Sequence, residues 1–361
     1  MKELAKIDSR NYGIDLLRIV SMFFIVLLHS FGHGGLLNGL DMNSTQYKAV
    51  YFFEISAYCA VDIFGIISGY VSYNPQGKKV KFSNLLKLWT EVVFYGIIIS
   101  VITKIIEPSL VTKADMVKQL FPVCLRTYWY FTSYVGLFIL TPFINNSLTN
   151  MSAKTAKKML ILLIIAFSVV GTIFRPFILN GGYSIAWLCI LYIIGLIMKK
   201  CELGKNLKSR YGIIAILILT LISYIYVFKG HEINILGNTI TNRVFESYIS
   251  PTVLGIAIFY VIIFSKMKIG NIIKKTIKFS APSAFAIYII NEHPIIRKNI
   301  ITGMFTSSCN QKTLIILAKV FLFAIVFVVA VILIDKIRQL IFEKCKINYL
   351  CDKIVKKIEN I

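Results

Sequence analysis

Acidic residues are scarce in this chain: 17 Asp and Glu stand against 40 Lys and Arg in 361 residues, a formal net charge of +23. Charge of either sign is sparse too, at 16% of residues, where a soluble domain carries about a quarter. So basic a balance can mark a nucleic-acid binder. Here the Lys and Arg residues fall in short clusters between apolar blocks instead of grouping with aromatic residues on one soluble surface, which excludes that partner. None of the seven cysteines has C-x-x-C spacing, and no histidine lies at metal-ligand spacing from one, so no zinc or redox site and no metal is expected. Cys124 and Cys309 both fall in segments expected to face outward; two unrelated thiols is a simpler reading than a bridge. A cleavable signal peptide is missing: the first apolar block carries Arg18 and His29, no small-residue cleavage site follows, and the block is expected to stay as a span. No loop is long enough to fold alone, and no internal repeat points to an inverted-repeat transporter.

What the chain does have is apolar residues, 57% of the total, in blocks long enough to cross a bilayer core, which takes roughly 20 helical residues. Candidate spans fall at 12–31, 50–73, 88–106, 127–146, 158–178, 183–198, 211–228, 247–265, 280–296 and 313–335. The expected fold is all-α, a polytopic membrane helical bundle of about ten transmembrane helices. The ninth span holds Pro282, Asn291, Glu292, His293 and Pro294 and reads as a short or broken helix, tolerated where protein or a water-filled cavity surrounds it. Alternate connections hold most of the basic residues: Lys2, Lys6 and Arg10, then Lys78, Lys79, Lys81 and Lys87, with later clusters around Lys157, Lys200 and Lys275 and in the tail. The positive-inside rule then puts both termini in the cytoplasm of a plasma-membrane protein. Residues 1–335 read as one membrane domain and 336–361 as a basic cytoplasmic tail, an amphipathic helix lying on the anionic inner leaflet.

Ionisable side chains inside spans are costly, so each one is a functional-site hypothesis. Arg18 and His29 stand eleven residues apart, close to three turns, and share one face of the first span about 16 Å apart. Asp15 can pair with Arg18 across one turn; mutual neutralisation near the inner surface explains both equally well. His29 lies beside the polar Gly32-His33-Gly34-Gly35 stretch, where an imidazole can take a proton from a hydroxyl and pass it to a leaving group. A packing histidine is the plainer alternative. In the second span Glu54 and Ser68 are fourteen residues apart, near four turns, and share a face. Ser68-Gly69-Tyr70 serves either as a ligand wall or as a helix-packing step. Arg126, Tyr128, Trp129 and Tyr130 open the fourth span; an interfacial aromatic belt is the stronger reading, the floor of a sugar site the sharper one. Glu292 and His293, at the outer end of the ninth span, are placed to line a cavity.

Taken together, these residues resemble the acyltransferase 3 family of bacterial membrane acyltransferases. The Arg18–His29 pair within Ile14-Asp15-Leu16-Leu17-Arg18-Ile19, the second-span phrase from Val61 to Tyr70, the Tyr128-Trp129-Tyr130 entry followed by Thr141-Pro142-Phe143, and Ser283-Ala284-Phe285-Ala286-Ile287-Tyr288 leading to His293-Pro294 carry the resemblance. It extends from about Tyr12 to about Asp335. Phe64-Gly65 stands where the family often has two Phe, Asn291-Glu292 precede the late histidine, and no Arg-x-x-Arg is evident in an inner loop. The resemblance implies transfer of an acyl group, usually acetyl, from cytoplasmic acetyl-CoA to a hydroxyl of an extracytoplasmic surface polysaccharide. His29 is then the catalytic base, Arg18 and Asp15 its charged partners, and Glu54, Ser68, Tyr70, Arg126, Tyr128, Trp129, Tyr130, Glu292 and His293 the lining of the substrate site. The rivals are a polysaccharide flippase or a membrane polymerase; the latter typically depends on a large outer loop, and the longest outer connections here, around 107–126 and 229–246, are modest.

Overall fold

The computed structural model describes residues 10–76 and 80–359. Lys2, Lys6, Lys78 and Lys79, and the last two residues of the tail, lie outside it. The described chain is almost wholly helical: α1 Tyr12–Phe31, α2 Thr45–Ala57, α3 Ala60–Ser72, α4 Ser83–Ile106, α5 Trp129–Asn150, α6 Ala153–Leu163, α7 Ile185–Lys200, α8 Ser209–Lys229, α9 Pro251–Ser265, α10 Asn271–Ser280, α11 Ala284–Glu292, α12 Thr313–Lys344 and α13 Ile347–Glu359. Shorter turns join them, and a small antiparallel hairpin, β1 Ile233–Ile235 with β2 Asn238–Ile240, sits between α8 and α9. Polar N-caps mark several starts: the Asn11 side chain accepts from the Ile14 N–H at 3.1 Å, and Ser44, Ser152 and Ser184 do the same three residues ahead of themselves.

A helix occupies each of the ten stretches expected to be apolar spans. Among the described residues six units are long and apolar enough to cross a bilayer: Tyr12–Gly39, Thr45–Ser72, Ser83–Ile106, Ala153–Ile173, Ser209–Lys229 and Thr313–Lys344. The burial pattern is that of a membrane bundle. Only 22% of the most apolar window of α8 is buried, and Ile214, Leu217, Ile218, Leu221 and Ile225 all face outward. Such a stripe would aggregate in water and is at home in lipid.

The centre is the opposite. α7 is largely enclosed, and it packs along α3 at backbone contact: a Cβ built on Gly69 would lie 1.9 Å from the Tyr192 carbonyl oxygen, and one on Gly195 2.0 Å from that of Ile66. Trp187, wholly buried on α7, donates its Nε1–H to the buried Asp62 carboxylate of α3 at 3.0 Å. In lipid there is no hydrophobic drive between helices, so close approach at small residues and buried hydrogen bonds hold such a pair.

α11 ends where Pro294 lacks an N–H and forces His293 out of helical geometry, to φ −56° and ψ 128°. The expected break in the ninth span is present, and it leaves Asn291 and Glu292 in the last turn before it. α12 runs without interruption through Asp335 to Lys344. A turn at Lys346 then folds α13 back onto α4, where Lys87 pairs with Asp352 at 2.7 Å. At the same end of the bundle the Asn11 side chain donates to the Ser265 carbonyl at the foot of α9.

Candidate active site

His29 occupies the last turn of α1, its side chain 19% exposed, with both ring nitrogens facing α11. Nδ1 meets the Asn291 side-chain oxygen in a short contact, and Nε2 lies 3.1 Å from Glu292 Oε1. The other Glu292 oxygen accepts from Arg297 at 3.3 Å. Beyond His29, His33 brings its ring centroid to 5.2 Å. The chain reverses tightly here: Gly35 adopts φ +92°, where a Cβ would meet the Thr306 hydroxyl at 2.5 Å. The Gly303 and Phe305 N–H groups donate to the His33 and Gly34 carbonyls, both at 2.9 Å, and clamp the loop.

The imidazole lines one cavity, and two further spaces lie towards the two ends of the bundle. On one side is a narrow, mostly aromatic cavity lined by His29, Phe64, Trp129, Tyr130, Tyr248, Phe285 and Tyr288. Its rings brace one another: Trp129 stacks on Tyr248 at 6.2 Å, and Tyr130 meets Phe64 edge-on at 5.7 Å and Tyr288 at 5.8 Å. Towards the end with few lysines, His33 opens onto a polar vestibule of about 340 Å³ with Tyr47, Tyr51, Glu54, Arg243 and Glu246. Towards the lysine-rich end, one turn down α5 from Tyr130, Tyr134 begins a larger cavity of about 870 Å³ that includes Lys81, Lys87, Glu91, Asn145, Tyr192 and Arg338. Its wall is anchored by a buried network: Arg338 donates to Asp335 at 2.6 Å and faces Glu91 at 3.6 Å, while the Tyr95 hydroxyl donates to Asp335 at 2.7 Å.

A carboxylate against one imidazole nitrogen is the orienting half of a proton-transfer pair: it holds the ring and stabilises the imidazolium that forms when the other nitrogen takes a proton. Asn291 occupies the second nitrogen, the position a substrate hydroxyl would have to take. His29, His33 and Glu292 also form a trio whose ligand atoms lie within 4.8 Å of one another. The Arg297 cation already sits on the other oxygen of Glu292.

Of the residues singled out in the sequence, the structure brings His29, Trp129 and Tyr130 together around the narrow cavity, sets Glu292 against His29 and places Glu54 in the vestibule. Tyr128 packs its ring behind Tyr288 at 6.2 Å, fully buried. Asp15 is held between Arg10 at 2.5 Å and Arg18 at 3.2 Å, far down α1 from His29. Four of the expected lining residues stand apart from these three cavities. Ser68 donates to the Phe64 carbonyl one turn back, at 2.9 Å, and Tyr70 lies under the Lys199 ammonium at 5.0 Å; the α3–α7 contact claims that face. Arg126 is exposed in the loop before α5 at φ 52°. His293, wholly buried, has been turned by the helix break so that its Nδ1 accepts from the Ile295 N–H as a helix cap. All seven cysteines are free, Cys124 and Cys309 among them.

Asn291, His33, Arg297, Glu246, Tyr248 and Tyr288 joined the site only through the structure. Asn291 and His33 stood beside residues already singled out, and Tyr288 ended one of the phrases that carry the resemblance; Tyr248 carried no signal separating it from an aromatic belt.

Neither the curated proteins nor the solved structures contain a match to this chain. The family comparison is positive: residues 11–335 match the acyltransferase 3 family, described as an acyltransferase domain. With a match over nearly its whole length and a bundle of apolar helices around a half-buried histidine, the chain belongs to the acyltransferase 3 family of membrane acyltransferases.

Proposed function

We propose that the protein moves an acyl group, acetyl being the expected one, from acyl-CoA on the cytoplasmic side to a hydroxyl of a surface polysaccharide on the other, with ten spans and both termini in the cytoplasm of a plasma-membrane protein. The single observation that carries this reading is the position of His29, held by Glu292 between the polar vestibule and the aromatic cavity.

Acyl-CoA enters from the lysine-rich end, where the 870 Å³ cavity is large enough for an extended ligand and Lys81 and Lys87 meet its anionic nucleotide. Its thioester reaches past Tyr134 into the aromatic cavity. Arg18, partnered by Asp15 on the same stretch of α1, adds positive charge along that route. The acceptor hydroxyl comes from the vestibule and displaces Asn291 from His29. The imidazole takes the hydroxyl proton as the oxygen attacks the thioester carbonyl; a C–O bond forms, the C–S bond breaks, and the thiolate leaves with the proton returned by His29. The Tyr130 hydroxyl, buried without a hydrogen-bond partner, is a donor available to the carbonyl oxygen as it gains charge.

The test is His29→Ala in a cell that makes the target glycan. Loss of the glycan ester, with the variant inserted at wild-type level, is expected. Esters that persist at the wild-type level show that His29 has another role.

A further inference from the structure

The vestibule has a chemistry of its own. Tyr47, Tyr51, Glu54 and Tyr58 follow at spacings of four, three and four residues along α2 and its C-cap, so they form one face. All four line the vestibule. Tyr47 and Tyr51 stack nearly parallel, 5.9 Å between centroids and 7° between planes. The two charged residues opposite are already committed to each other: Arg243 donates to Glu246 at 3.3 Å and to the Tyr47 hydroxyl at 3.4 Å, and Glu246 also accepts from Tyr51 in a short contact. Glu54 has no such partner. Its Oε2 is buried and makes no hydrogen bond.

A buried carboxylate oxygen without a donor is costly, and one facing a cavity is explained when a ligand supplies the donor. Arg243 is the one Lys or Arg among the residues lining the vestibule, and with Glu246 and Tyr47 already on it the guanidinium is not free to hold an acid. We propose that the vestibule is the acceptor subsite for one sugar ring without negative charge, with Glu54 accepting from its hydroxyls or from an amino group. Tyr47, Tyr51 and Tyr58 on its wall supply the aromatic surface against which a sugar ring packs. At about 340 Å³ the space lies at the small end of ligand sites, enough for a single ring. His33, on the vestibule wall, is in ring contact with His29, so a hydroxyl of the bound sugar lies next to the reacting imidazole. The direction of transfer rests on the acyltransferase reading above; the binding preference is measured apart from it.

The experiment uses the full chain in nanodiscs and saturation-transfer NMR with three probes: methyl glucopyranoside, glucosamine and glucuronate. The neutral and amino sugars should bind, and glucuronate should bind at least about tenfold more weakly, the size of one charged hydrogen bond lost. Glu54→Gln should weaken glucosamine by a similar factor and narrow the difference between the probes. Binding of glucuronate as tight as that of glucosamine, or of none of the three, overturns the proposal; so does a folded Glu54→Gln protein with unchanged binding. The wild-type preference stands as a test even where that variant does not fold. His29→Ala should keep the sugar preference while losing transfer. Preference kept with transfer also kept would defeat the acyltransferase role of His29 and leave the subsite intact.

Discussion

In the proposed chemistry Glu292 is the partner of His29, its Oε1 3.1 Å from Nε2, which leaves Nδ1 to take the proton. Glu292→Gln keeps the shape and removes the charge that stabilises an imidazolium, so acyl transfer should fall by about 10²–10⁴-fold with the protein still inserted. Coenzyme A release by the purified variant measures this, and a rate within a few-fold of wild type contradicts it. Arg297, half-exposed and bound only to the far oxygen, should matter much less: Arg297→Ala is expected to cost less than about tenfold in the same assay. Some of this was legible in the sequence. An arginine and a histidine three turns apart in an apolar helix, and a Glu next to a Pro, each announce themselves because lipid makes charge costly. Their meeting did not: Asn291 and His29 are separated by 262 residues, and no local pattern pairs them. Adjacent Glu292 and His293 looked equivalent, yet one backbone turn at Pro294 sends the first to His29 and the second to a helix cap.

At the scale of elements, the bundle depends on the close approach of α3 and α7. Gly195→Val would drive a side chain into the Ile66 carbonyl region and should destabilise the protein by at least about 1–3 kcal/mol. A lower melting midpoint in detergent, followed by fluorescence-detected size exclusion, is the measurement; an unchanged midpoint would mean that the helices pack elsewhere. The same contact explains why Ser68 and Tyr70 are not in the site. Helical spacing alone put Ser68 on the face of Glu54, but the second span is two helices, interrupted around Tyr58 and Cys59, and periodicity does not carry across the interruption. Hydropathy marked where helices stand because long apolar runs have one solution in lipid. It did not mark the hairpin of β1 and β2, whose three-residue strands are too short for an alternation to show.

For the whole molecule, the account requires two approaches to one histidine from opposite ends. At the lysine-rich end, Lys81→Glu should raise the KM for acyl-CoA several-fold, more at low salt than at high salt, and leave kcat nearly unchanged, since a charge at the mouth steers the donor without touching the reaction. α13 closes this end, with Cys351 buried and Lys87 joined to Asp352, while Tyr349, Ile354 and Ile358 remain exposed beside its lysines. Such a helix suits the surface of an anionic leaflet.

Inside-out membrane vesicles bring these strands to one assay, because they present the proposed cytoplasmic face to the medium. Labelled acetyl-CoA added outside should deliver its label to glycan protected within the lumen, and His29→Ala vesicles should deliver none. Label transferred equally by the His29→Ala protein, or delivered only when the donor is sealed inside, would contradict a histidine that works between the two faces.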